Sequence, residues 1–131
     1  MNVRFIAAGC VAIQLLIAGC HSKEPPHATS EDIESAKREA DREIAQARAE
    51  ASKDVKSVSK IAGASGRDIA YAKATGAFDV AMAKAEGDHK IATEKCLTLA
   101  APEQPACTAQ ADRDFDAAKD AAKAARLARR Q

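Results

Sequence analysis

Cys96-Leu97-Thr98-Leu99-Ala100-Ala101-Pro102-Glu103-Gln104-Pro105-Ala106-Cys107 is the stretch whose reading decides the fold. Pro102 and Pro105 cannot continue a helix arriving from upstream, but proline is tolerated in a first helical turn, where amide donors lack partners. A helix is therefore expected to end near residue 99 and another to start near 104 and run towards 129. Two cysteines bracket the break. Joined, they fold the flanking helices into an antiparallel hairpin in which facing residue numbers sum to about 203. The inner stripe of the second helix is then Cys107, Ala111, Phe115, Ala118, Ala122 and Ala125. Phe115 is set against Asp88 and His89, while the alanines beyond it meet Ala85, Met82 and Phe78, so large side chains face small ones, as close packing requires.

Upstream, the apolar residues between 33 and 62 recur in steps of three, four and four: Ile33, Ala36, Ala40, Ile44, Ala47, Ala51 and onwards. This 11-residue period, about 3.67 residues per turn, holds a narrow stripe on one side of a helix without left-handed supercoiling. The wording repeats as well, with Asp32-Ile33-Glu34-Ser35-Ala36-Lys37 answered by Glu43-Ile44-Ala45-Gln46-Ala47-Arg48 and again by Asp68-Ile69-Ala70-Tyr71-Ala72-Lys73. One unit is longer than the others and contains Gly63, Ser65 and Gly66, the mark of a helix break or hinge. The pattern predicts helices over 30–62 and 68–99, the first capped by Thr29 or Ser30 with Glu31 and Asp32 at its positive end. The 68–99 segment carries two apolar stripes about 180° apart, one through Ile69, Gly76, Val80 and Gly87, the other through Tyr71, Phe78, Met82, His89 and Cys96. A helix apolar on opposite sides has neighbours on both, so this one is expected in the middle. Gly76 and Gly87 each cost roughly 1 kcal/mol of helix propensity against alanine; they serve either a close-approaching neighbour or a looser helix. The stripe at 33–62 is free to meet either the 68–99 helix or a second copy of itself.

Further out, Cys20 to Thr29 contains Pro25 and Pro26 and no apolar period, and reads as an extended tether. Before it, Arg4 precedes an apolar run from Phe5 to Ala18 broken only by Gln14. A charged start, a short apolar middle and a small-residue exit make a secretory signal, and the run is short of the roughly 20 residues a membrane span needs. Its exit, Ile17-Ala18-Gly19-Cys20, resembles the bacterial lipobox. The resemblance implies that a signal peptidase recognises Ile17, Ala18 and Gly19 and cleaves before Cys20. It also implies a thioether lipid on the Cys20 sulfur and a further acyl chain, such as palmitate, on the new amino terminus. An ordinary signal peptide cut nearby would leave Cys20 as a thiol. The expected organisation is a signal peptide at 1–19, a lipidated tether at 20–29 and a helical domain at 30–131. Cys10 leaves with the signal and Cys20 is taken by lipid, so Cys96 and Cys107 remain as a pair in an oxidising compartment, where a disulfide is expected. Closing so short a loop stabilises by about 2–3 kcal/mol in the chain-entropy account.

The amino-terminal region is similar to that of proteobacterial outer-membrane lipoproteins. In that group Asp directly after the lipidated cysteine implies inner-membrane retention; His21 stands there, which implies the outer membrane, facing the periplasm. Lipobox, tether and helix also resemble the small murein lipoprotein family. That family uses a strict heptad and a C-terminal lysine for wall attachment, whereas this chain repeats every eleven residues and finishes Arg129-Arg130-Gln131. The segment from His89 through Cys96 to Cys107, with its alanine-rich continuation, is similar to parts of small uncharacterised alanine-rich envelope proteins and implies no activity.

The whole chain of 131 residues has a formal charge of +1, and Arg4 is the only charged residue before Cys20, so the remainder is neutral. A neutral chain offers no global field for nucleic acid. Only thirteen large aliphatic or phenylalanine side chains follow Gly19, and with alanine the best helix former this predicts an all-α chain with a thin core. No Gly-rich phosphate loop, His-Glu-x-x-His or nucleophile elbow occurs. His89, Cys96 and Cys107 share a region, but as metal ligands they lack a fourth member and compete with the disulfide; no metal, no cofactor beyond the acyl lipid and no catalytic residue are expected. Arg126, Arg129 and Arg130 suit a helix C-terminus or anionic phosphate groups of the envelope. The expected role is non-catalytic: a lipid-anchored spacer, or a partner for itself or another envelope protein, with no nucleic acid and no small-molecule substrate. Two alternatives stand beside it. Eleven-residue alanine–lysine repeats also resemble lipid-surface and desiccation-type helices, which implies an interfacial lipid-binding or stress-protective protein; and the disulfide hairpin could head a binding or inhibitor module.

Overall fold

A computed structural model describes residues 28–129, which form three helices: α1 (Ser30–Ser59), α2 (Gly66–Leu97) and α3 (Gln104–Ala128). The signal sequence, the lipobox and most of the tether lie outside the described residues. Each expected helix is present, with ends displaced by at most three residues: α1 starts at Ser30 and α3 at Gln104 as expected, α1 stops at Ser59 rather than 62, and α2 starts at Gly66 rather than 68. The start signals are capping boxes. Thr29 Oγ1 accepts from the Asp32 amide while the Asp32 carboxylate accepts from the Thr29 amide, and Ser65 with Asp68 repeats the arrangement. The early start of α2 follows from Ser65, whose reciprocal cap includes Gly66 in the first turn instead of leaving it in the hinge. The hinge itself is the short turn between the helices, where Gly63 takes a φ of +87° that other residues resist.

The three helices lie side by side in a row. α2 contacts α1 along one flank and α3 along the other, and α1 and α3 do not touch. Both pairs are antiparallel. The middle position of α2 and its two opposed stripes agree with the sequence pattern, and the stripe of α1 is covered by α2. From Ile33 to Val58 each of its apolar positions is buried or half-buried, while nearly all the rest of α1 is exposed. The core is made of small side chains, Ala36, Ala40, Ala72, Ala74, Ala85, Ala111 and Ala122 together with Cys96. Burial of alanine stabilises little by area, so closeness of approach has to supply what bulk does not.

That closeness is visible at the two glycines of α2. A methyl group built on Gly76 would stand 2.5 Å from the Ala51 Cβ and 3.1 Å from its Cα; one on Gly87 would stand 2.6 Å from the Ala40 Cβ. Carbon atoms sit comfortably at about 3.5–4.0 Å, so only glycine fits. Gly76 pairs with Ala51 and Gly87 with Ala40, eleven residues apart on both helices, which means the shared period keeps the seam in register over its whole length. Of the two readings of these glycines, the close neighbour is the one realised.

Candidate functional site

The most chemically varied part of the described chain is the α2–α3 seam. Cys96 and Cys107 are bonded there, their Cα atoms 5.5 Å apart and Cys96 only 1% exposed. The connection they close is held by Gln104, a buried polar residue at the start of α3 whose Nε2 donates to the Leu99 carbonyl at 3.0 Å and the Leu97 carbonyl at 3.4 Å. These are carbonyls at and just beyond the C-terminal end of α2, which no further turn of helix can satisfy. Gln104 thus caps the preceding helix from the first turn of the next. α3 has no side-chain cap of its own and starts instead with Pro105 in its first turn.

About two turns along from the disulfide, His89 and Phe115 stack, ring centroids 4.7 Å apart and planes inclined by 24°. His89 Nε2 lies 2.7 Å from Asp112 Oδ1 on α3, and the Lys119 ammonium sits 4.5 Å from the Phe115 ring centroid. Lys119 also donates to Asp116 at 2.8 Å. That hydrogen bond, aided by the lysine's charge, holds the Asp116 carboxyl below the usual carboxylate range and raises the Lys119 ammonium above its ordinary value. Three turns beyond the His89–Phe115 stack, the Arg126 guanidinium lies 4.9 Å from the Phe78 ring centroid. The register is the one expected from joining the cysteines, since His89 meets Phe115 and Phe78 meets Arg126.

The inner line of α3 differs from expectation in one respect. Ala118 and Ala125 are exposed, and Lys119 and Arg126, one position on in each case, are half-buried. The long stems of these cations lie over aromatic rings that an alanine methyl could not reach. Tyr71 departs too, being 47% exposed instead of packed on α3. At a register of 203 it lies beyond the end of α3, beside Asp54 and Val58 of α1.

A depression of about 230 Å³ opens between α2 and α3, lined by Ala85, Asp88, His89, Ala92, Asp114 and Phe115 among others. It is smaller than the roughly 300–1,000 Å³ of ordinary small-molecule sites. The cysteine sulfurs are bonded to each other and His89 points to Asp112, so the conceivable His89/Cys96/Cys107 ligand set is not assembled; among the described residues no three metal-ligating side chains converge. Across the other seam, Lys90 of α2 is paired with Glu39 of α1, and this hydrogen bond holds the Glu39 carboxyl below its usual range.

Asp112, Lys119, Gln104 and the Glu39–Lys90 pair were not singled out by sequence. For Lys119 and Asp112 the usable signal was their spacing, four after and three before Phe115, which places them on its face of the helix. For Gln104 it was a lone amide between two prolines. The fold and this seam define a class, an all-helical protein closed by a disulfide hairpin. No family model matches the chain, and neither the curated proteins nor the solved structures contain a match to it.

Proposed function

We propose that this protein is a lipid-anchored, non-catalytic helical component of the bacterial envelope, held on the periplasmic side of the outer membrane through Cys20 and acting as a spacer or interaction partner. The reading is carried by Ile17-Ala18-Gly19-Cys20 at the end of the apolar run 5–18. The helical body beyond the tether suits a rod held at one end. α1 starts at Ser30, ten residues after Cys20, and at about 1.5 Å per residue its 30 residues extend about 45 Å. The tight glycine–alanine seam supports a stiff body more than a chemical one. Coverage of the α1 stripe by α2 favours this reading over a lipid-surface role for α1, because that role needs the stripe turned towards lipid.

Intact-mass spectrometry of the membrane-extracted protein tests the proposal. Expected is a chain beginning at Cys20, heavier by a diacylglyceryl group and one further acyl chain and lighter by two hydrogens for the disulfide. A chain that keeps residues 1–19, or an unmodified thiol at Cys20, refutes it. Cys20→Ser should move the protein from the detergent phase to the aqueous phase if cleavage still occurs, and leave an uncleaved precursor if it does not.

A further inference from the structure

The charge of the row is divided along its length. The helices are antiparallel, so the end holding the α1–α2 turn gathers residues 48–79 and 124–129, and the end holding the disulfide gathers residues 28–47 and 80–123. The turn end carries eight lysines and arginines against four carboxylates; the disulfide end carries nine against fourteen. A nearly neutral chain is thus folded into a rod with one basic and one acidic end.

Apart from Arg126, which lies against Phe78, the cations of the turn end are not consumed by the fold. Lys53, Lys56, Lys60, Arg67, Lys73 and Arg129 are exposed, and none is in an ion pair among the described residues. Of the four carboxylates there, Asp68 is already committed to the Ser65 cap and Glu50 accepts from Gln46. Helix dipoles account for Lys56 in the last turn of α1, but not for Arg67, which sits in the first turn of α2, where a cation is opposed. Lys53, Lys56 and Lys60 flank a furrow with Ser52 and Ser57 along the outside of α1; all its walls come from one helix, so it is a surface and not an enclosure.

A second, independent observation falls at the same end. Ile61 and Leu127 are each 61% exposed and Tyr71 47%, three of the four large hydrophobic side chains most open to water among the described residues. Cations interleaved with protruding aliphatic and aromatic tips match the interface of an anionic bilayer, where ammonium and guanidinium groups meet phosphates while the tips enter the acyl boundary. An anionic polymer in water has use for the charges alone. We propose that the turn end of the rod is a membrane-contact site for anionic phospholipid, separate from the anchor at Cys20 and at the opposite end of the folded body from the tether.

The test uses the native protein inserted in donor vesicles of phosphatidylcholine, mixed with acceptor vesicles of either phosphatidylcholine alone or equal parts phosphatidylcholine and phosphatidylglycerol. Donors should capture the anionic acceptors and leave the neutral ones, and raised salt should release them. K53Q/K56Q/K60Q, all at exposed positions, should weaken capture at least about tenfold with an unchanged melting curve. I61S/L127S should weaken it about fivefold. Equal capture of neutral acceptors, or capture indifferent to the three lysines, overturns the proposal. So does salt-sensitive retention of soluble polyglutamate with vesicle capture unaffected by I61S/L127S, which would assign the end to an anionic polymer. Should the protein fail to float with the donors, the anchor reading has failed; the same variants compared in direct flotation with anionic vesicles then read the turn end by itself.

Discussion

Replacing Gly76 with alanine sets two effects of known size against each other. Removing a glycine from a helix interior stabilises by about 1 kcal/mol through propensity. The new methyl, however, would stand 2.5 Å from the Ala51 Cβ, and alanine has no rotamer through which to yield. Relief of about 1 Å therefore requires α1 and α2 to separate. A gap of 0.5–1 Å forfeits about a quarter to a half of each dispersion contact it opens, and overpacking of this kind costs about 1–3 kcal/mol. The expected net is a loss of up to about 2 kcal/mol, read as a fall of up to roughly 10 °C in Tm by circular dichroism. G87A, against Ala40, should act alike. The double variant should lose less than the sum, because helices already parted by one methyl accommodate the second, and the propensity gain is still collected at both sites. A51G in the G76A background removes the nearer clash and leaves the 3.1 Å approach to the Ala51 Cα, which needs only a few tenths of an ångström; stability should return to within about 1 kcal/mol of the wild type. If G76A instead raises stability by about 1 kcal/mol, as in an open helix, the seam is not close and the account of the fold fails.

Other perturbations reach other parts of the row. C96A/C107A should lower stability by about 3 kcal/mol, with hydrogen exchange accelerating in α3 before α1. Gln104→Ala strands the carbonyls of Leu97 and Leu99 and should cost about 1 kcal/mol, measured by urea titration. Thr75 Oγ1 is buried without a hydrogen-bond partner among the described residues, so Thr75→Val should be neutral or stabilising by up to about 1 kcal/mol; a clear loss would show that the hydroxyl is satisfied. The carboxyls of Asp32, Asp68, Glu39 and Asp116 are held below their ordinary range, the first two chiefly by backbone amides and the others by lysine hydrogen bonds. Groups depressed in the folded state contribute stability above the ordinary carboxylate range and lose it as pH falls through the folded values. Stability should decline in acid, and D32N/D68N should flatten that decline in a pH series of melting curves.

The helices and their order were legible in the sequence because apolar period and proline punctuation agree at every level. The middle place of α2 followed from its two stripes, and the α2–α3 register from one pair of cysteines. The glycines were visible as a question and not as an answer: a missing side chain in a helix reads the same whether a neighbour presses on it or nothing does, and only the distance to Ala40 and Ala51 separates the cases. The shift from Ala118 and Ala125 to Lys119 and Arg126 was hidden for a related reason. A stripe drawn by hydropathy excludes cations, although their methylene stems pack as well as alanine and their heads are drawn to Phe115 and Phe78. The end-to-end division of charge could not be read along the chain at all, since it arises only when the antiparallel turns stack distant segments beside one another.

Because α1 and α3 never meet, each contact between helices joins neighbours in the chain. Loop closures are short, and such topologies assemble quickly and locally. If the chain is exported as proposed, a polypeptide emerging unfolded could zip α1 onto α2 once the first turn and α2 have cleared, with α3 added afterwards and locked by oxidation. The α1–α2 pair in that sequence need not wait for α3.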